Sequence, residues 1–312
     1  MPIKNDLTDL PYPPRSEGMP PVKAPIVVPL LAQRWFEQYV ADGQVNRAKA
    51  IPERKFRASW ASKRCDRSLQ YALDDIEPSD PSTLADYWRF GLGTLVHDAL
   101  EGVIHGLFAD AICEQPIDLA PIGLDGSATV DIILPATDER RAIVIEVKSI
   151  NGFGFKKAAT SFKGPAEGPR WGAIVQGALA AAALDADLVI AYLSLESMSP
   201  NLAMSYGDGT DVGRFAAEWH IPADQAKEIA LAEVARINRV FDMRAADIVV
   251  PREIHDPELQ SGAVVVDPRR GMWNVEDNGA IVATGTTWMC DYCDHQKQCI
   301  TDGAGGSTTE EF

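Results

Sequence analysis

The chain has 312 residues, 46% of them hydrophobic, and a formal net charge of −16. That length suits one large domain, or a core with helical additions. No apolar run reaches the roughly eighteen residues that a transmembrane helix needs, and the acidic balance weighs against a nucleic-acid partner unless the charge is unevenly placed.

The charge is uneven. From residue 181 to the end there are 22 acids and 9 bases. Residues 53–67 hold six Lys/Arg against two acids, and residues 148–170 hold Lys148, Lys156, Lys157, Lys163 and Arg170 against Glu167 alone. Two basic stretches are thus available to grip a polyanion while the acidic half faces elsewhere. The alternative is uneven surface charge with no ligand.

Residues 1–30 are Pro-rich, lack an apolar signal core and read as a flexible arm, which makes the cytoplasm the default location. Residues 31–50 have apolar positions at helical spacing. Cys65 opens a short helical stretch, and residues 78–82 form a turn that starts a helix over 83–108. Leu84, Trp88, Leu92, Leu95, Ala99 and Val103 make a stripe on that helix. Residues 128–134 and 141–147 are rich in β-branched residues and flank the polar turn PATDER, so they predict a hairpin. Residues 149–168 contain glycines, lysines and Phe153, Phe155 and Phe162, and read as a long loop of the kind that carries function. Its lysines suit phosphates, and its aromatics either stack on unpaired bases or plug the loop onto the core. An Ala-rich buried helix over 169–185, a strand over 187–196 and an amphipathic helix over 223–244 follow. The tail from 303 reads as disordered. This order predicts an α/β fold, a small mixed sheet flanked by helices, with 31–302 as one domain.

The chemistry lies in two constellations. Glu146 and Lys148 share one face of an apolar strand, where two charges are costly unless paired or bound to a metal. Asp131 falls roughly opposite Glu146 in the hairpin partner. Two carboxylates are hard-oxygen ligands for Mg²⁺ or Mn²⁺, and Lys148 can orient a water and offset developing charge. A plain structural ion pair at a sheet end is the alternative. In the preceding helix His97 lies four residues after Gly93 and four before Glu101, so the three share a face. There Gly93 allows close approach of backbone or nucleic acid, and Glu101 is placed to hold the second ring nitrogen. Gln176 sits among small apolar residues and needs a partner, at the metal site, on DNA or within the core.

The second constellation is Cys290-Asp-Tyr-Cys293 followed by Cys299, with Cys65 as a distant fourth. Three soft ligands in ten residues read as a metal or iron–sulfur site, with His295 as a substitute ligand if the metal is zinc. The fifth cysteine, Cys113, reads as an ordinary buried residue.

In this order the motifs resemble the RecB-like PD-(D/E)XK exonucleases that carry an iron–sulfur cluster, which include CRISPR-associated exonucleases, their phage relatives and AddB nuclease domains. The resemblance spans residues 59–302. It implies a restriction-endonuclease-like core, with His97, Asp131 and Glu146 as metal ligands and the Val147 carbonyl as a fourth. It implies Lys148 as the catalytic lysine, with Gln176 beside it, and a [4Fe–4S] cluster on Cys65, Cys290, Cys293 and Cys299 that joins the two ends of the chain. It further implies action on DNA ends, often single-stranded and 5′→3′. The sequence departs from that pattern at Ala180, where a Tyr is usual, and at Ala128, where a Gly is usual. The competing readings are a weakly catalytic DNA-binding adaptor that keeps the cluster, and a zinc-stapled endonuclease.

Overall fold

A computed structural model of the chain describes residues 56–62, 64–80, 82–162, 166–250, 253–254, 273–275, 281–283 and 293–302. The arm, the helix expected over 31–50, Lys163, Cys290 and the tail lie outside the described residues. In chain order the elements are β1 (Phe56–Arg57), α1 (Ala58–Ala61), α2 (Asp66–Leu73), α3 (Leu84–Leu107), β2 (Ile112–Asp118), β3 (Gly126–Leu134), β4 (Ile143–Ile150), α4 (Gly152–Ala159), α5 (Trp171–Ala183), β5 (Asp187–Ser194), α6 (Pro200–Tyr206), β6 (Ala216–Ile221), α7 (Ala223–Ala245), β7 (Glu253–Ile254), β8 (Trp273–Val275), β9 (Ile281–Ala283) and α8 (Gln296–Thr301).

Six strands form one mixed sheet, and β7, β9 and β8 form a second, small one. Ser127 pairs with both Arg57 and Asp118, and Ile132 with both Cys113 and Ile145. Strands β1 and β4 therefore share one edge of β3, and β2 takes the other. The expected hairpin is present: Ile132, Ile133 and Leu134 run antiparallel to Ile145, Val144 and Ile143. From β4 the chain crosses through α4 and α5 to β5, which pairs with β4 in parallel from Ile143↔Asp187 to Ile150↔Ser194. A parallel neighbour requires such a crossover, because a tight turn can join only antiparallel strands.

The main core lies between the sheet and helices α5 and α7; it contains Val130, Val144, Leu179, Leu188, Ile190 and Ile237. Helix α5 packs close because its residues are small. A Cβ on Gly177 would lie 2.6 Å from Leu188 Cδ1 and 3.3 Å from Glu146 Cβ, so only glycine fits there. A smaller cluster of Ile132, Leu134 and Val147 meets Leu100 and Ile104 of α3 on the opposite side. Thr83 and Asp86 start α3 with a reciprocal capping box, which satisfies two of the amides that a helix N-terminus leaves unpaired.

Three sequence expectations require correction, and the choice left open for the aromatics of 149–168 is decided at Phe155 in favour of the core. The stripe on α3 turns outward: Trp88, Leu95 and Val103 are 51%, 60% and 56% exposed. The inward face instead carries His97, Leu100 and Ile104. Residues 152–159 form a helix rather than a loop, capped by Asn151, whose side chain accepts from the Gly154 amide. Phe155 is fully buried in the core and cannot stack on a base. Part of the basic stretch at 53–67 is not surface charge, and its Arg54, Lys55 and Lys63 lie outside the described residues. Arg64 and Arg67 are buried, with Arg64 2.7 Å from Glu233 and Arg67 donating to the Val250 carbonyl. Arg236 bonds both Glu233 and Asp66, and Arg239 lies 2.6 Å from Asp66. This buried charge network fastens the start of α2 to α7. Among the described residues no helix is long and apolar enough to cross a membrane.

Candidate active site

The middle of β4 brings five of the sequence-predicted side chains to one place. Strand alternation sends Glu146 and Lys148 to the α5 side, and Lys148 Nζ lies 2.5 Å from Glu146 Oε1. That contact is an ion pair without hydrogen-bond alignment. The same Nζ donates to Gln176 Oε1 at 3.2 Å, so the amide on the Ala-rich helix has its partner at the lysine. Asp131 Oδ2 accepts from the Val147 amide at 2.7 Å. Its other oxygen, Oδ1, lies 3.5 Å from His97 Nδ1. Helix α3 thus delivers His97 across the hairpin, held by Leu100 and Ile104 in the small cluster beneath it. Gly93 is used for close approach, but of the strand end: a Cβ there would lie 3.1 Å from Ser149 Oγ.

The electrostatics follow from burial. Glu146 is 2% exposed, and desolvation pushes its carboxyl up to about 7, with Lys148 opposing and the Asp131 carboxylate adding to the rise. Burial also raises Asp131, against the pull of His97 and Lys148. His97 is raised chiefly by the nearby Glu114 carboxylate, with burial opposing and Asp131 assisting. Burial alone would lower the Lys148 ammonium, yet the adjacent Glu146 carboxylate outweighs it and holds the group above its usual value. Two buried acids, Asp131 and Glu146, thus share the site with Lys148 and His97, whose charged forms are both favoured.

This donor set fits a hard divalent cation. His97, Glu114 and Asp131 each offer one atom, all within 4.8 Å of one another. Glu146 adds a buried carboxylate whose Oε1 faces the Lys148 ammonium. Carboxylate oxygens with one imidazole suit Mg²⁺ or Mn²⁺ better than a soft metal. The expected partnership of Glu101 with His97 does not occur; Glu101 Oε1 lies 3.7 Å from His105 Nε2 instead. Glu101 and His105 form a neighbouring group with Cys113, which is half-buried and packs against the small cluster.

Glu114 is the site residue that sequence reasoning missed. Its strand, ICEQPID, shows no clean alternation and contains a proline, so it reads poorly as β. Proline is tolerated because β2 pairs only with β3 among the described residues.

Of the basic residues near the site, Lys156 is half-buried and Arg170 is exposed. Lys157 is already paired, 2.8 Å from Glu167. Phe153 is 59% exposed, and Phe162 packs edge-on against Tyr206 with ring centroids 5.4 Å apart.

The cysteines gather at the far side of α2. Cys65 precedes that helix and its thiol is pushed up to about 12, by burial first and then by the proximity of Cys293, Asp66 and Cys299. Cys293 Sγ lies 3.8 Å from Ser68 Oγ. Thiols from both ends of the chain thus lie close enough to act on one another's charge, although among the described residues their sulfurs do not form a set within 4.8 Å; soft donors of this kind suit zinc or an iron–sulfur cluster. His295 is buried with its ring 5.3 Å from that of Tyr71. Hydrogen bonds and an ion pair join the two ends. Tyr71 donates to Asp302 at 2.6 Å, Asp80 accepts the Lys297 amide at 2.8 Å, and Lys297 Nζ lies 2.6 Å from Asp80.

No family model matches the chain, and no curated protein matches it in sequence. Among solved structures, the crystal structure of SSO0001 is distantly similar over 89% of this chain and 97% of its own, at 17% identity and a TM-score of 0.45. LHK-Exo, crystallised in complex with dAMP, is similar over 62% of this chain and 93% of its own, at 16% identity and a TM-score of 0.37. Neither likeness assigns the chain to a family.

Proposed function

We propose that the chain is a metal-dependent DNA nuclease of the PD-(D/E)XK type that hydrolyses phosphodiester bonds at single-stranded or frayed DNA ends. The observation that carries this reading is Lys148, held between Glu146 at 2.5 Å and Gln176 at 3.2 Å, on the strand whose Val147 amide anchors Asp131. A structural ion pair at a sheet end needs no second buried carboxylate and no histidine from another helix, and this site has both.

Asp131, Glu146 and His97, with the Val147 carbonyl, would hold Mg²⁺ or Mn²⁺, which when bound polarises the phosphate and lowers the pKa of a water. Asp131 is oriented by its bond from the Val147 amide, which leaves Oδ1 facing the cation. Glu146 would bind it as the carboxylate, with Lys148 protonated beside it. The lysine orients the attacking water and offsets the charge that develops on the phosphoryl oxygens. Gln176 fixes the lysine's direction. Lys156 and Arg170, on the segments that follow β4, would meet the DNA backbone; Lys157 is engaged with Glu167, and Lys163 completes the basic set in the same segment. Cys65, Cys290, Cys293 and Cys299 would hold a structural [4Fe–4S] cluster, whose binding energy becomes folding energy.

End-labelled linear single strands and a covalently closed circle of the same sequence, incubated with protein and Mn²⁺, test this reading. Degradation of the linear strand with the circle spared is the expected outcome. Absence of metal-dependent cleavage of both substrates would leave an adaptor that only binds DNA. A brown protein with bound iron and sulfide supports the cluster; a colourless protein with bound zinc replaces it with a zinc staple.

A further inference from the structure

Glu114 stands in a backbone conformation that its strand does not require. Its φ is +49°, in the left-handed region, which costs a non-glycine residue on the order of 1–3 kcal/mol. The β2–β3 ladder pairs Cys113 with Ile132 and Gln115 with Val130, and skips the Glu114–Asp131 pair between them. Alternation in β3 slips at the same point. Val130 and Ile133 both belong to the main core, whereas Ile132 and Leu134 belong to the small cluster. Two facing residues, both acidic, therefore leave the regular pleat together.

The irregularity aims side chains. Glu114 Oε1 lies 3.8 Å from His97 Nδ1, on the nitrogen that also faces Asp131 Oδ1 at 3.5 Å. The Glu114 side chain is 56% exposed, so burial does not force it inward, and full hydration is available to it on the outer side of an edge strand. It turns instead towards a site that already holds Asp131 and the 2%-exposed Glu146. Three carboxylates there face two cationic groups, Lys148 and His97, and a bound cation would offset the negative charge that remains.

We propose that Glu114 is a further ligand for the divalent cation, completing a His97–Glu114–Asp131 set on the α3 side of the site while Glu146 approaches from the α5 side. This inference rests on the metal-dependent reading above. Its chemical content is an oxygen donor supplied by β2, a strand outside the Asp131–Glu146–Lys148 motif.

Mn²⁺ binding to the full-length protein, measured by titration calorimetry and by loss of the free-ion resonance signal, tests the inference without any turnover. The variants are Glu114→Gln, Glu114→Gly and, as a reference, Asp131→Ala. Gln keeps the size and removes the charge. Gly relaxes the left-handed backbone, so its melting temperature should equal or exceed that of the wild type. The expected result is that both Glu114 variants bind Mn²⁺ at least tenfold more weakly than wild type, with Glu114→Gly folded and no less stable. Wild-type affinity in both Glu114 variants, with loss in Asp131→Ala, would overturn the role of Glu114 and leave the metal site standing. Absence of Mn²⁺ binding by the wild type would overturn both.

Discussion

Glu146→Gln should stabilise the metal-free fold while destroying the site. The carboxyl rises from an ordinary 4.5 to about 7 because it is buried. The folded chain therefore holds its proton more tightly than the unfolded chain does. Below pH 4.5 the group is protonated in both states and the fold bears no penalty. Between 4.5 and about 7 the unfolded chain ionises first, and stability falls as pH rises. Above 7 both states are ionised and the penalty is constant, about 3 kcal/mol at roughly 1.4 kcal/mol per pH unit. Gln does not titrate. The variant's advantage should therefore grow from about 1 kcal/mol at pH 5.5 to about 3 kcal/mol at pH 8.5, a range kept above the sequence pI of about 4.7. Urea unfolding of anaerobic protein, in chelator, measures it. Adding Mn²⁺ at pH 8.5 to about 1,000 times its Kd should reverse the order, because a ligand at that concentration stabilises the form that binds it by about 4.1 kcal/mol. A difference between the two proteins that does not change with pH would refute the reasoning, as would a wild type that is the more stable at pH 8.5 in chelator.

Lys148→Ala should lower DNA cleavage by about a hundredfold or more while keeping Mn²⁺ affinity, because the lysine orients groups and binds no metal; equal losses in both measurements would contradict that role. Glu233→Gln should destabilise the fold by about 3–5 kcal/mol, since it strips a buried partner from Arg64 and Arg236, and a melting temperature within a degree of wild type would refute it. Replacing Lys156 and Lys157 together by Ala should reduce the salt slope of single-strand binding by about 0.7, the value for one phosphate contact. Lys157 is already neutralised by Glu167 at 2.8 Å, and a drop twice as large would mean that both lysines contact DNA.

The parts of the fold legible in the sequence are those where one local signal dominates. β-branched runs either side of a polar turn gave the β3–β4 hairpin, and charges on an apolar strand marked Glu146 and Lys148. Small residues around Gln176 marked a helix that packs close to the sheet, and the lysine bond explains why a lone amide is accommodated there. What was not legible depends on distant partners. Arg64 and Arg67 read as surface charge because Glu233 and the Val250 carbonyl lie 169 and 183 positions away in the chain. Helix α4 begins with two glycines and was hidden by them, although Asn151 caps it. The α3 stripe predicted the helix but not the direction it faces, since the buried side is the one chosen by His97, Leu100 and Ile104. Glu114 was invisible because its strand carries a proline, little alternation and a left-handed residue.

The most direct test of the account is cleavage of end-labelled single-stranded DNA by wild type and Asp131→Ala across a Mn²⁺ titration, with the fold of each checked by circular dichroism. Asp131 both accepts the Val147 amide and faces His97, so its loss should abolish cleavage at every Mn²⁺ concentration while the secondary structure persists. Folded Asp131→Ala that cleaves at the wild-type rate would contradict the assignment of this site as the catalytic centre.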